Sequence, residues 1–244
     1  MRFHRFFIDS PAGEAGQDIT DSGEIVVPDA ELTHQLRRVF RYSAGDKVIL
    51  FNGDGFEYIS EIISFGKEET TFRVTAKEGN QNVSKVDVYL FASIIKNSNY
   101  EWILEKCTEL GVSNFVPIVS ERSEKKKINY TRAEKIVKEA SEQSGRGTLP
   151  KIFETILLQN IFEEYNFPCI AFHVEGESFR QSNIQYQISN AKENKIGILI
   201  GPEGGWSEKE IELLKEKNIP LYSLGNQVLR AETAAIAVSS LLLL

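Results

Sequence analysis

The spacing of apolar side chains changes character near residue 80. Before it, apolar and polar residues alternate over short runs, and 25–28, 47–52, 57–64 and 70–76 each read as a strand. Gly45-Asp46 and Asn52-Gly53-Asp54-Gly55 supply turn chemistry between them. One stretch breaks the alternation: Leu32, Leu36, Val39 and Phe40 stand three and four apart, which predicts a helix with Thr33 available near its start. Short strands at this spacing point to a small β-barrel.

After the polar, turn-prone stretch Lys77-Glu78-Gly79-Asn80-Gln81-Asn82 the pattern becomes strand and helix in alternation. Residues 86–93 form a near-continuous apolar strand, followed by a helix over 99–110 that stops at Gly111. A strand at 115–119 and a helix at 132–144 come next. Two apolar runs, 169–174 and 195–200, are bounded by Pro168 and by Gly201-Pro202. Ser207-x-x-Glu210 is a capping box opening a helix over 207–217. A short strand at 220–224 and a helix at 233–243 complete the order. Apolar strands alternating with helices imply a parallel α/β sheet covered on both faces. The expected division is therefore 1–75, a β-barrel, and 76–244, an α/β domain.

Composition adds limits. The chain has 244 residues, 41% hydrophobic and 26% charged, which is globular rather than disordered. Its apolar stretches, including the Leu tail at 241–244, are too short to cross a bilayer. The first residues carry no apolar leader core. Cys107 and Cys169 have no metal-ligand spacing, and His4, His34 and His173 are scattered. A reduced, cytoplasmic, soluble protein without membrane or metal is expected. Net charge is −7, yet residues 121–151 carry nine basic against five acidic side chains. A local strip acts within a Debye length of about 8 Å, so Lys125-Lys126-Lys127 is either a solvated loop or a phosphate contact.

The dinucleotide motif G-x-G-x-x-G, the P-loop, G-x-S-x-G and H-E-x-x-H are all absent. Three constellations remain. Ile198-Leu199-Ile200-Gly201-Pro202-Glu203-Gly204-Gly205-Trp206-Ser207 is an apolar strand breaking into a Gly-rich turn before a capped helix. Leu221 to Ala235 repeats that plan, with Gly225 in its loop and Arg230, Glu232 and Thr233 crowded at a helix start. Ligands of α/β sheets gather outside the carboxyl ends of strands, and either turn is a tight connection or part of such a site. Lys106 and Glu109, three apart, form the third constellation, with Glu142-Gln143-Ser144-Gly145-Arg146 further on.

In this order and spacing, Gly201-Pro-Glu-Gly-Gly205 and Leu224-Gly225-x-x-x-Leu229-Arg230-x-Glu232-Thr233-Ala234 resemble the RsmE family of ribosomal RNA methyltransferases. The resemblance covers nearly the whole chain. Arg2-Phe3, Phe6-Phe7, His34 with Val39-Phe40-Arg41 and Gly45-Asp46, and Phe51 to Gly55 are similar to the family's opening. Lys106-x-x-Glu109-Leu-Gly111, Ser120-Glu-Arg122-Ser and Glu142-Gln-Ser144-x-Arg146 follow in register. The sequence departs at Asn97-Ser98-Asn99, at Phe40 in place of Leu, and at Ala231 in place of Thr.

The resemblance implies a PUA-like RNA-binding β-barrel over 1–75 and a SPOUT α/β trefoil-knot domain over 76–244, although knots are rare among folds. It implies a homodimer that uses S-adenosyl-L-methionine to methylate N3 of a uridine in 16S rRNA, free or in the small ribosomal subunit. Another SPOUT enzyme acting on tRNA or a ribose 2′-hydroxyl, and a non-catalytic RNA-binding assembly factor, are the alternatives. The cofactor residues would be Ile200, Gly201, Pro202, Glu203, Gly204, Gly205, Ser223, Leu224, Gly225, Leu229 and Thr233. Arg230 would stabilise the uridine anion, and Glu232 would act as base or orient Arg230. RNA would enter between the domains and meet Arg2, Arg5, Arg37, Arg38, Arg41, Arg122, Lys125, Lys126 and Arg146. Phe3 is a stacking candidate, and Phe3 and Phe6 are equally candidates for the barrel core.

Overall fold

The structure, a computed structural model, describes residues 3–9, 23–82, 84, 86–179 and 194–244. These form two compact units, Met1–Val83 with Ser141–Leu149, and Ser84–Ala140 with Pro150–Leu244.

In the first unit, β1 (Arg5–Phe7), β2 (Gly23–Val27), β3 (Lys47–Phe51), β4 (Phe56–Phe65) and β5 (Thr70–Gly79) make one sheet in the order β1-β3-β4-β5-β2. The β1–β3 pair is parallel and the others are antiparallel. Alternate residues of β4, Tyr58 and Ile62, point into a core shared with Leu36, Leu50 and Phe72. Phe6 from one end of the order and Val27 from the other lie in that same core, so the sheet curls on itself as the expected barrel does. β1 escapes the hydrophobic pattern because it is three residues long and held by parallel pairing to β3.

The helix between β2 and β3, α1 (Ala30–His34), differs from its predicted form in two ways. Its cap is Asp29, whose carboxylate accepts from the Leu32 N–H at 2.8 Å. Thr33 is buried instead, its hydroxyl 2.9 Å from that of Thr70. Beyond His34 the coil widens to a π-helical turn over Gln35–Val39, where the Phe40 N–H reaches back five residues to the Gln35 carbonyl. That widening rotates Val39 out of the core, leaving it 63% exposed.

The second unit contains β6 (Asp87–Ser93), α2 (Asn97–Leu110), β7 (Asn114–Val119), β8 (Lys151–Ile152), β9 (Ile156–Leu157), β10 (Cys169–Ser178), β11 (Lys195–Ile200) and β12 (Leu221–Ser223). Its helices continue with α3 (Tyr130–Ser144), which runs on into the first unit's residues, α4 (Ile161–Glu164), α5 (Glu208–Glu216) and α6 (Ala231–Leu243). Every strand pairing is parallel, in the order β12-β10-β11-β6-β7-β8 with β9 beside β7. Adjacent residues of one strand serve opposite cores. Leu90, Ile170 and Ile198 face one, while Phe91, Ala171 and Leu199 face the other. This two-sided burial is why the strands read as unbroken apolar runs. The capping box forms as expected: the Ser207 hydroxyl accepts from the Glu210 N–H, and the Glu210 carboxylate accepts from the Ser207 N–H at 2.8 Å. The last helix begins at Ala231, two residues ahead of its predicted start, with Arg230 at its N-cap position.

Candidate functional site

A cleft of about 420 Å³ lies where β11 and β12 of the second sheet end and β10, which runs between them, bulges. β11 ends at Ile200, β12 ends at Ser223, and Phe172 of β10 pairs with Ile200 on one side and Tyr222 on the other. Past Phe172 the register with β12 slips, and Tyr222 pairs again with Glu177. The intervening residues bulge, which puts His173 and Val174 in the cleft wall. Gly176 is the pinch point of that bulge, since a Cβ there would meet the Tyr222 backbone at 2.5 Å.

The first wall is the loop after β11. Gly205 takes φ +67° and donates its N–H to the Pro202 carbonyl at 2.8 Å, closing a tight turn. A Cβ on Gly205 would meet nothing within 4 Å, so this glycine also leaves the cleft open. Trp206 is buried beneath, its Nε1 donating to the Phe172 carbonyl at 3.0 Å. Glu203 Oε1 accepts from the Lys96 N–H at 3.3 Å, and Arg122 Nη1 donates to the carbonyls of Gly204 at 2.9 Å and Trp206 at 3.2 Å. The second wall follows β12, where the Ser223 hydroxyl donates to the Gly225 carbonyl at 3.0 Å. Leu224, Val228 and Leu229 give this wall an apolar face, and Ala231 and Ala234 of α6 complete the lining.

Arg230 stands exposed in the cleft lining and takes part in no ion pair among the described residues. Glu232 is different. It is buried, lies outside the lining, and its Oε2 has no hydrogen-bond partner among the described residues. No ion pair joins it to Arg230, although the two are neighbours in the chain.

Of the predicted cofactor residues, Ile200, Gly201, Pro202, Glu203, Gly204, Gly205, Ser223, Leu224 and Leu229 line this one cleft; Gly225 and Thr233 lie outside its lining. The basic residues are scattered in role. Arg37, Arg38, Arg41, Lys125 and Lys126 are exposed, with the Arg37 guanidinium 5.6 Å over the Phe65 ring. Arg5 is half-buried and paired with Glu57 at 2.7 Å. Arg146 is buried, and desolvation pushes its guanidinium down to about 10. Arg2 lies outside the described residues. Phe6 is core and Phe3 half-buried.

Sequence reasoning missed Phe172, His173 and Val174, although the strand-end rule applied to the 169–174 run points to them. It also missed Trp206 as the ring beneath the loop. Among the described residues there is no group of three or more His, Cys, Asp or Glu side chains placed to hold a metal. No helix among them is long and apolar enough to cross a membrane. Cys107 and Cys169 are free and buried, which pushes both thiols up to about 12.

Comparison with known proteins shows what the chain is similar to. Residues 82–243 match the RNA methyltransferase domain family, and residues 28–75 match the RNA methyltransferase PUA domain. A protein of Rickettsia conorii named ribosomal RNA small subunit methyltransferase E is 31% identical over 97% of this chain and 93% of its own length. Its namesake in Bacillus subtilis is 31% identical over 84% of each chain. Among solved structures, a Legionella pneumophila protein in complex with the bound cofactor SAM superimposes with a TM-score of 0.85 at 26% identity, covering 99% of this chain and 97% of that one. A PUA domain ahead of a parallel-sheet methyltransferase domain, matched nearly end to end by such relatives, makes this chain a member of the ribosomal RNA small subunit methyltransferase E family.

Proposed function

We infer that the chain is an S-adenosylmethionine-dependent methyltransferase acting on N3 of a uridine in small-subunit ribosomal RNA. The observation that carries this is the convergence of the 201–206 and 223–230 loops on one cleft at the ends of parallel strands, with an arginine in its lining that forms no ion pair among the described residues. A cavity of about 420 Å³ is of the size that small-molecule sites have. It fits the cofactor chemically as well. The apolar Leu224–Leu229 wall suits an adenine, and the open Gly205 backbone admits close approach. When bound, S-adenosylmethionine supplies an electrophilic methyl group on a sulfonium.

The chain's own task is to make N3 nucleophilic. Neutral uridine carries a proton there, and passing that proton to solvent water leaves an anion shared with O2 and O4. Arg230 holds a full positive charge in the cleft, and its guanidinium stabilises that anion as it forms. We assign Glu232 no direct proton transfer, because its carboxylate is buried outside the lining; it supports the first turn of α6 through the helix dipole. Residues 1–75 serve as the RNA-binding module, with Arg37, Arg38 and Arg41 as exposed phosphate contacts. The enzyme works as a homodimer in the cytoplasm. Trp102 on α2 and Leu241 and Leu244 at the end of α6, on helices that pack together, are exposed apolar groups suited to a second copy.

Calorimetric titration with S-adenosylhomocysteine tests the cofactor site, and nucleoside analysis of methylated ribosomal RNA tests the product. Binding by the parent chain with loss in a folded Gly205→Trp variant is expected. No binding by the parent chain would leave an RNA-binding protein with this fold and no methyl transfer.

A further inference from the structure

Arg122 belongs to the basic segment that reads as a phosphate contact, yet its guanidinium is committed elsewhere. One nitrogen, Nη1, donates to the carbonyls of both Gly204 and Trp206. Each of those peptide groups is also held at its other end. The Gly205 N–H donates to the Pro202 carbonyl at 2.8 Å, and the Ser207 N–H donates to the Glu210 carboxylate at 2.8 Å. Two peptide planes are thus pinned on both edges. The peptide between them, Gly205–Trp206, makes no hydrogen bond through its own carbonyl or N–H among the described residues.

The root of Arg122 is equally fixed. Ser120 and Ser123 close its turn with reciprocal bonds of 3.1 Å, the Ser120 hydroxyl lies 2.5 Å from the buried Ser93 hydroxyl, and the Glu121 N–H donates to the Glu210 carboxylate at 2.8 Å. Arg122 forms no ion pair with a carboxylate among the described residues. A rigidly rooted cation aimed at two carbonyls of a Gly-rich loop constrains backbone that glycine would otherwise leave loose.

We propose that Arg122 is a positioning residue for the cofactor loop: by holding the Gly204 and Trp206 carbonyls it orients the Gly205–Trp206 peptide toward an S-adenosyl ligand. This rests on the cofactor reading above. It gives Arg122 no role on RNA phosphate.

The test compares the parent chain with Arg122→Ala and Arg122→Gln. Amide hydrogen exchange without ligand reads the clamp itself, and exchange at Gly205 and Ser207 should rise at least about fivefold in Arg122→Ala, since protection tracks local opening. S-adenosylhomocysteine should bind about tenfold more weakly, equivalent to ~1.4 kcal/mol, and 5′-methylthioadenosine should weaken equally. Gln, which retains a donor, should restore part of both. Affinity for a ribosomal RNA fragment, and its salt slope, should stay as in the parent chain.

Unchanged exchange at Gly205 and Ser207 would overturn the proposal whether or not cofactor binds. A salt slope reduced by about one with unchanged S-adenosylhomocysteine affinity would make Arg122 a phosphate contact instead. Loss confined to S-adenosylhomocysteine, sparing methylthioadenosine, would make it a direct carboxylate contact. Failure of the parent chain to bind either nucleoside would remove the cofactor reading, while the exchange data would still decide the clamp.

Discussion

Replacing Gly176 by alanine places a methyl group where β10 has no room for one. The new Cβ would lie 2.5 Å from the carbonyl carbon of Tyr222, 2.7 Å from its oxygen and 2.8 Å from its Cα. Unstrained carbon contacts begin near ~3.5 Å, so roughly 1 Å of separation must open, and backbone rather than a mobile side chain has to give. Overpacking of this kind costs about 1–3 kcal/mol, which corresponds to a melting-temperature fall of about 3–10 °C in a unit of this size. β12 yields first, being an edge strand of three residues. Tyr222 and the Leu224 wall move with it, so affinity for S-adenosylhomocysteine falls by about tenfold or more. Differential scanning fluorimetry and calorimetric titration read the two effects. Gly79→Ala is the control, because a Cβ there meets nothing within 4 Å and its backbone is not left-handed; its melting temperature should stay within about 1 °C. A Gly176→Ala variant that melts and binds like the parent chain would refute the argument that close approach to Tyr222 shapes the cleft.

Arg230→Met should lower kcat by about a hundredfold or more, with S-adenosylhomocysteine affinity within about threefold and no loss of stability, because the side chain is exposed and makes no ion pair among the described residues. Glu232→Gln should keep kcat within about threefold and leave its pH profile unmoved; a loss near that of Arg230→Met would make Glu232 the base. Both thiols should resist a thiol reagent at pH ~8 in the native chain and react once it is unfolded. Each thiol is raised in the folded state to about 12, above its unfolded value near ~8.5, so its contribution to stability is complete below that lower value and is lost as pH climbs toward 12. Urea midpoints should therefore fall less steeply over that alkaline range for Cys169→Ala than for the parent chain.

The parallel sheet could be read from the sequence because strands such as 195–200 face a core on both sides, and two-sided burial leaves no polar residue to interrupt the run. The capping box at Ser207 and the stop at Gly111 were equally plain, since both are local hydrogen-bonding problems with few solutions. Elements set by distant partners were not. β8 and β9 are two residues each and exist because β7 offers them an edge. The π-helical turn before Phe40 inserts a residue into the helical repeat, so a period of ~3.6 places Val39 inward when it faces solvent. The bulge after Phe172 is a slip of register against β12, and no property of residues 173–176 alone announces it.

The same distinction governs the arginines, and it decides which of them can do chemistry. From sequence every arginine is one fixed positive charge, and proximity in a motif is the only guide to its task. The fold then supplies acceptors. Glu57 takes Arg5, burial encloses Arg146, and two loop carbonyls take Arg122. A guanidinium already coordinated has less of its field and fewer of its donors to offer a substrate. Arg230 shares the cleft with Arg122 but has no such partner among the described residues, and its neighbour Glu232 is turned into the core. A cation left uncompensated beside an apolar wall loses water when a ligand closes over it, and its effect on a forming uridine anion grows accordingly. Supplying Arg230 with a local carboxylate, as in Gln227→Glu on the same loop, should therefore lower kcat while leaving the cofactor loop intact. An undiminished rate in that variant, with the introduced carboxylate shown to pair with Arg230, would mean that the free charge is not what drives the reaction.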